Sequence, residues 1–147
     1  MIFCDTSALA KFYVQELETA DVRKRIEEED VVCVSELVRV ELMAVFHRRL
    51  REAKWSPEVF QAAIQQFLQD DIGGYWTWHP LDGQTIEAAS KVFVTLPTSV
   101  FLRSADCIHL VTAMLHNHAE VFTYDTHQTT AAVALGLIPV TATSTSR

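Results

Sequence analysis

Residues 102–115 read Leu102-Arg-Ser-Ala-Asp-Cys-Ile-His-Leu-Val-Thr-Ala-Met-Leu115. The stretch sets one carboxylate, Asp106, at the start of an otherwise apolar helix. Ser104 is a good N-cap, which puts Asp106 in the first turn, where unpaired amides and the helix dipole favour an anion. Ile108, Leu110, Val111, Met114 and Leu115 leave almost no polar face, so the helix is expected to be buried with its acidic end at the rim of the core. A carboxylate held there needs a partner, a proton or a metal.

Working outward, short β-branched or aromatic runs alternate with helical patterns. Met1 to Cys4 reads as a strand ending at Asp5, with Thr6 or Ser7 capping a helix to about Val14. Glu18 to Glu29 suits an exposed amphipathic helix. Val31 to Val34 is a second strand, and Ser35 caps a long helix from Glu36 to about Ala53 whose Leu37, Val38, Leu42, Val45 and Phe46 keep helical spacing around Glu41. Ser56-Pro57 opens another helix to about Leu68. Tyr75 to His79 is a short aromatic strand, and Thr85 to about Val94 is helical. Val121 to Tyr124 is a strand ending at Asp125. Thr130 to Leu135 is helical and closed by Gly136. Ile138-Pro-Val140 reads as an edge strand, because proline tolerates only edges. The alternation predicts an α/β fold: a three-layer α/β/α sandwich on a mostly parallel sheet of about five strands. One domain over 1–140 is expected, with a frayed tail over 141–147.

The chain has 147 residues, 49% hydrophobic and 21% charged, ordinary values for a globular domain. No apolar run approaches the ~18 residues of a membrane span, and Met1 leads into Ile2-Phe-Cys-Asp5 with no basic leader. Cys4, Cys33 and Cys107 have no CxxC spacing and read as reduced, buried thiols. These features predict a cytoplasmic location away from membranes. The net charge of −7 repels nucleic acid in bulk. Yet nine of the twelve Lys and Arg residues precede Asp71, as solvated helix faces or as a local track for phosphates.

Asp5 and Asp125 each follow a strand, and ligands of open α/β sheets bind outside the carboxyl ends of strands. Asp106 begins the helix before the Asp125 strand, and Glu41 sits two turns into an apolar helix. Four carboxylates in one cleft would repel unless a divalent cation joined them. Oxygen ligands suit Mg²⁺, with Mn²⁺ as substitute, and such a site can activate water on a phosphodiester. Thr6, Ser7 and Thr126 could hold the waters. Arg103 could contact phosphate or pair with an acid. Singly, each acid also has an ordinary reading as a turn, cap or surface residue.

Four blocks carry a resemblance: Ile2-Phe-Cys-Asp-Thr-Ser-Ala-Leu9, Ser35-Glu-Leu-Val-Arg-Val-Glu-Leu42, Leu102-Arg-Ser-Ala-Asp-Cys-Ile-His-Leu110, and Phe122-Thr-Tyr-Asp125 running on to Leu135-Gly-Leu-Ile-Pro-Val140. Together, in this order, they resemble PIN-domain ribonucleases, specifically the VapC-type toxins of bacterial and archaeal toxin–antitoxin pairs. The resemblance implies that Asp5, Glu41, Asp106 and Asp125 form a catalytic metal site supported by Thr6 or Ser7. It implies RNA as substrate, a small VapB-type antitoxin as partner, and a homodimer. After the fourth acid the family often has a basic residue; here Thr126-His127 follows. The rival reading is a non-catalytic module of the same fold that binds RNA or protein. Phosphotransfer on Asp5 ranks low, because haloacid-dehalogenase enzymes want a second Asp two residues on, where Ser7 stands.

Among the remaining residues, His116-Asn-His118 has a reading as a metal pair, but at a helix end with no partner spacing it is expected to be solvated or capping; His109, one turn after Asp106, is expected to pack in its helix, with support of the metal ligands as the alternative. Trp55, Trp76 and Trp78 are expected in the core or at a dimer interface, with base stacking as the alternative.

Overall fold

In a computed structural model, which describes residues 1–143, five strands form one parallel sheet between two helical layers. In chain order the elements are β1 (Ile2–Cys4), α1 (Thr6–Tyr13), α2 (Thr19–Glu27), β2 (Val32–Ser35), α3 (Leu37–Arg51), α4 (Pro57–Ile72), β3 (Trp76–His79), α5 (Gly83–Thr95), α6 (Ser104–Leu115), β4 (Glu120–Phe122), α7 (Thr126–Ala134) and β5 (Ile138–Val140). The strand order is β3-β2-β1-β4-β5, with every pairing parallel. Pro139 lies on edge strand β5, where its missing amide costs least.

The strands are short and apolar because both faces are covered. Ile2, Cys4, Val32, Val34, Trp76 and Phe122 point to the layer carrying Leu9, Val22, Leu42, Phe46 and Phe67. Phe3, Cys33 and Val121 point to the layer carrying Ala89, Leu110, Val111 and Ala131. Trp76 is core, and Trp55 and Trp78 pack against it.

Several local readings shift. Ser104 is the first residue of α6 rather than its cap; Arg103 holds the cap position without a side-chain bond. Asp5 itself caps α1, accepting from the Ala8 amide at 2.9 Å, so neither Thr6 nor Ser7 does. Asp125 caps α7 through the Gln128 amide at 2.9 Å, and that helix starts at Thr126, four residues earlier than its apolar pattern suggested. Ser56 caps α4 as expected, but the helix continues to Ile72. Gly136 takes φ 81° just past α7, the left-handed stop that glycine allows cheaply. Of the expected tail, 144–147 lie outside the described residues. Ala142 is held, its amide donating to Tyr124 Oη at 3.2 Å. Among the described residues no helix is long and apolar enough to cross a membrane. The three cysteines are free and buried.

Candidate active site

The chain leaves β1 toward β2 on one side, and β4 later adds on β1's other side. That reversal opens a crevice at the carboxyl ends of β1 and β4, where a parallel sheet offers helix N-termini and loops to a ligand. A cavity of about 550 Å³ lies there, lined by Asp5, Glu41, Asp106 and Asp125 together. Thr6, Ser7, Lys11, Arg48, Arg49, Arg103 and His109 also line it.

Each acid arrives on a different element. Asp5 is the residue after β1 and is 1% exposed. Its carboxylate accepts from Ser7 Oγ at 2.7 Å, the Ala8 amide at 2.9 Å and Thr123 Oγ1 at 2.6 Å. All three donors are neutral, and Asp5 forms no ion pair among the described residues. Burial therefore pushes its pKa up, against the pull of Thr123, His109, Ala8 and Ser7.

Glu41 projects from α3 toward α6. Burial pushes its carboxyl up, but His109 outweighs that, helped by Thr6 and Arg103, and the net shift is down. His109 Nε2 lies 2.5 Å from Glu41 Oε2, and Thr6 donates to the same oxygen in a short bond. His109 is thus more than packing: it is 1% exposed, one turn after Asp106 in α6, and ties α6 to α3. Its Nδ1 is buried without a hydrogen-bond partner.

Asp106 and Asp125 share Arg103. Arg103 Nε lies 2.6 Å from Asp106 Oδ2, and Nη2 lies 2.5 Å from Asp125 Oδ2. Asp125 ends below the usual carboxylate range: burial raises it, while the Gln128 amide and Arg103 more than compensate. Arg103 is thus engaged by two acids, the second of the roles weighed for it. It neutralises two carboxylates that would otherwise repel.

Thr126, expected as polar support, is exposed on α7 and does not line the cavity. Thr123 stands in its place, donating to Asp5 and accepting from the Asp125 amide at 3.1 Å. Ser7 accepts from the Tyr124 amide at 2.8 Å, which ties α1 to the end of β4. The sequence signal for Thr123 was a lone hydroxyl between Phe122 and Tyr124, two residues before an acid.

The donors facing the cavity are carboxylate and hydroxyl oxygens, the set preferred by a hard divalent cation. Asp5 is the observation that tests the fit: an ionised carboxylate buried among neutral donors is costly, and a cation would offset that cost. The four acids share a cavity without crowding to a point. Among the described residues, the three His, Cys, Asp or Glu side chains whose ligand atoms all come within 4.8 Å of one another are Cys33, His79 and His118, outside it. His118 is 7% exposed, so the solvated role expected for it does not hold; His116 is exposed, stacked on His79.

A parallel α/β/α sandwich with acids gathered at its topological switch point defines the class. The chain belongs to the PIN domain family, whose model matches residues 2–134. No curated protein matches the sequence. Solved structures share the fold at low identity. Mycobacterium tuberculosis VapC20, described as a sarcin-ricin loop cleaving toxin, has TM-score 0.70 and 16% identity over 89% of this chain and 95% of its own. FitAcB from Neisseria gonorrhoeae has TM-score 0.75 and 17% identity over 97% and 98%. A toxin–antitoxin complex from Klebsiella pneumoniae has TM-score 0.63 and 17% identity over 99% and 100%.

Proposed function

We propose that this chain is a Mg²⁺-dependent endoribonuclease that acts as the toxin of a toxin–antitoxin pair. The observation that carries the reading is the meeting of Asp5, Glu41, Asp106 and Asp125 in one cavity at the carboxyl edge of a PIN fold. These four residues would hold Mg²⁺ or Mn²⁺, which when bound supplies an activated water and neutralises charge on the phosphodiester.

The chain's own groups do the rest. Ser7 and Thr123 orient Asp5. His109 and Thr6 both bond Glu41 Oε2, which leaves Oε1 to accept a hydrogen bond from the attacking water. Arg48 lines the cavity and forms no ion pair among the described residues, so its guanidinium is available to an RNA phosphate. Arg103 binds Asp106 through Nε and Asp125 through Nη2, which leaves Nη1 for a phosphate oxygen. Water attacks phosphorus in line and the 3′ oxygen leaves. The products carry 5′-phosphate and 3′-hydroxyl ends.

The antitoxin is part of the same reading. Similar folds include a toxin–antitoxin complex, and the net charge of −7 suits a basic ligand. Co-expression with a small protein encoded beside this chain tests it: that protein is expected to stay bound through purification and to suppress cleavage, and the absence of any such bound partner would remove the pairing. RNA cleavage with Mg²⁺ or Mn²⁺ tests the activity. A chain that binds RNA tightly but cuts none with either ion is the non-catalytic module instead.

A further inference from the structure

A second cluster lies on the α5/α6 face of the sheet, away from the acidic cavity. Cys33 is in the middle of β2 and 2% exposed. His79 is the last residue of β3, in register with Ser35 of β2. The two-residue period of a strand therefore sets His79 on the same face as Cys33. His118 follows α6. Cys33 Sγ and one ring nitrogen from each histidine all lie within 4.8 Å of one another. The two Nε2 atoms are 2.8 Å apart, so one ring donates to the other.

The local structure aims these groups inward. After α6, Asn117 takes the left-handed conformation, φ 60°. The His118 amide bonds the Ala113 carbonyl at 2.9 Å and the Asn117 amide bonds that of Met114 at 3.1 Å. This is the Schellman arrangement, with Asn in the position glycine usually fills. It turns the chain so that His118 is buried rather than released to solvent. Phe3 packs on both rings, at 6.2 Å from His79 and 5.3 Å from His118. An apolar face that admits two imidazoles and a thiol gives up hydrophobic burial for them.

We propose that Cys33, His79 and His118 form a second metal site, which takes Zn²⁺ through one thiolate and two imidazole nitrogens with water in the fourth position. Sulfur and nitrogen donors select Zn²⁺ over the Mg²⁺ suited to the acidic cavity. Tetrahedral Zn²⁺ with bonds of about 2.0–2.3 Å sets its ligand atoms roughly 3.3–3.7 Å apart. The histidine Nε2 atoms, 2.8 Å apart, need to open by about half an ångström, and the sulfur starts within 4.8 Å of both rings' ligand nitrogens. Burial, with His116 and His118 nearby, holds His79 down to about 4, and burial lowers His118 too, so both rings are neutral at pH 7; the ring that donates across the Nε2 pair ligates once its proton moves to Nδ1. Burial raises Cys33, so binding displaces its thiol proton to solvent and strengthens with pH. The occupied site would tie β2, β3 and the end of α6 together. It depends on none of the four acids.

Co²⁺ titration of the full chain, with Mg²⁺ in excess, tests the proposal. One equivalent of Co²⁺ is expected to give an intense near-ultraviolet thiolate charge-transfer band and tetrahedral visible bands, which Zn²⁺ then abolishes. Cys33→Ser should remove the charge-transfer band, and His79→Gln should weaken Co²⁺ binding by roughly 10–100-fold or more. His79 is half-buried at the sheet edge, so its variant keeps the test open should Cys33→Ser not fold. The double variant Asp5→Asn/Asp106→Asn should keep the band unchanged. Absence of the band in the native chain, its survival in Cys33→Ser, or its loss in the double acid variant would overturn the proposal. Loss of RNA cleavage with the Co²⁺ band intact would count against the nuclease reading alone.

Discussion

At the scale of single residues, Asp5 shows the sharpest conflict between stability and the proposed function. Its folded pKa is raised by burial. The sign follows: the folded state holds this proton more tightly than the unfolded chain does. Folding therefore weakens as pH rises through the Asp5 titration, and the full cost stands above the folded value. Without divalent ions, Asp5→Asn is expected to stabilise the fold by about 0.5–2 kcal/mol in urea titrations at pH 7. Mg²⁺ is expected to stabilise the native chain, and Asp5→Asn should abolish that effect. A large loss of stability would mean the carboxylate is structural. Glu41 and Asp125 have the opposite sign, since both are lowered. Their stabilisation stands above the unfolded carboxylate range and is lost as pH falls through their folded values.

His109 is the residue whose role was least legible, because helical spacing reports a face and not a partner. Ile108 and Leu110 beside it suggested packing, while Glu41 lies 68 residues away. His109→Ala is expected to weaken Mg²⁺ binding roughly 10–100-fold by calorimetry, as loss of a ligand's supporting bond does elsewhere. Unchanged affinity would reduce His109 to a core residue.

Among the secondary-structure elements, the acids serve two purposes. Asp5 and Asp125 are N-caps of α1 and α7 as well as cavity carboxylates. This explains why Thr6 and Ser7 misled as caps and Thr130 as a helix start: the acid that ends each strand opens the next helix. Asp125→Asn keeps an acceptor for the Gln128 amide, whereas Asp125→Ala removes it. The Ala variant is expected to be about 1 kcal/mol less stable than the Asn variant, measured by thermal or urea unfolding, with both equally impaired in metal binding. Equal stabilities would mean the cap is carried by another group. The strands were legible because each is an apolar run bounded by turn residues. The α6 helix was legible because apolar residues fall on nearly every face of it, although Asp106, His109 and Thr112 are buried beside them. His118 was not: its burial depends on the left-handed Asn117 and on two partners from distant strands, and local spacing carries neither.

For the whole molecule, the strand order is what the sequence withheld. Alternating patterns gave a parallel sheet, but only the order β3-β2-β1-β4-β5 brings the ends of β1 and β4 side by side at a switch point. The four acids come to one cavity for that reason, and α3 and α6 supply the two that follow no strand. The charge pattern resolves along the same lines. Lys11, Arg48, Arg49 and Arg103 line the cavity, whereas Arg23 and Lys24 are exposed on α2. Lys11 and Arg49 pair with Glu16, and Arg103 with Asp106 and Asp125, so in a chain of net charge −7 it is Arg48 that keeps an unpaired cation beside the acids among the described residues. The proposed RNA binding should weaken as salt rises.

If four distant acids act together through a shared cation, cleavage must need both the ion and the acids. Purified chain, free of any antitoxin, is incubated with RNA and Mg²⁺ or Mn²⁺, with and without EDTA, beside Asp5→Asn/Asp106→Asn. Cleavage leaving 5′-phosphate ends, abolished by EDTA and absent from the double variant, is the predicted result. Cleavage that persists in the double variant, or that EDTA leaves untouched, would contradict it.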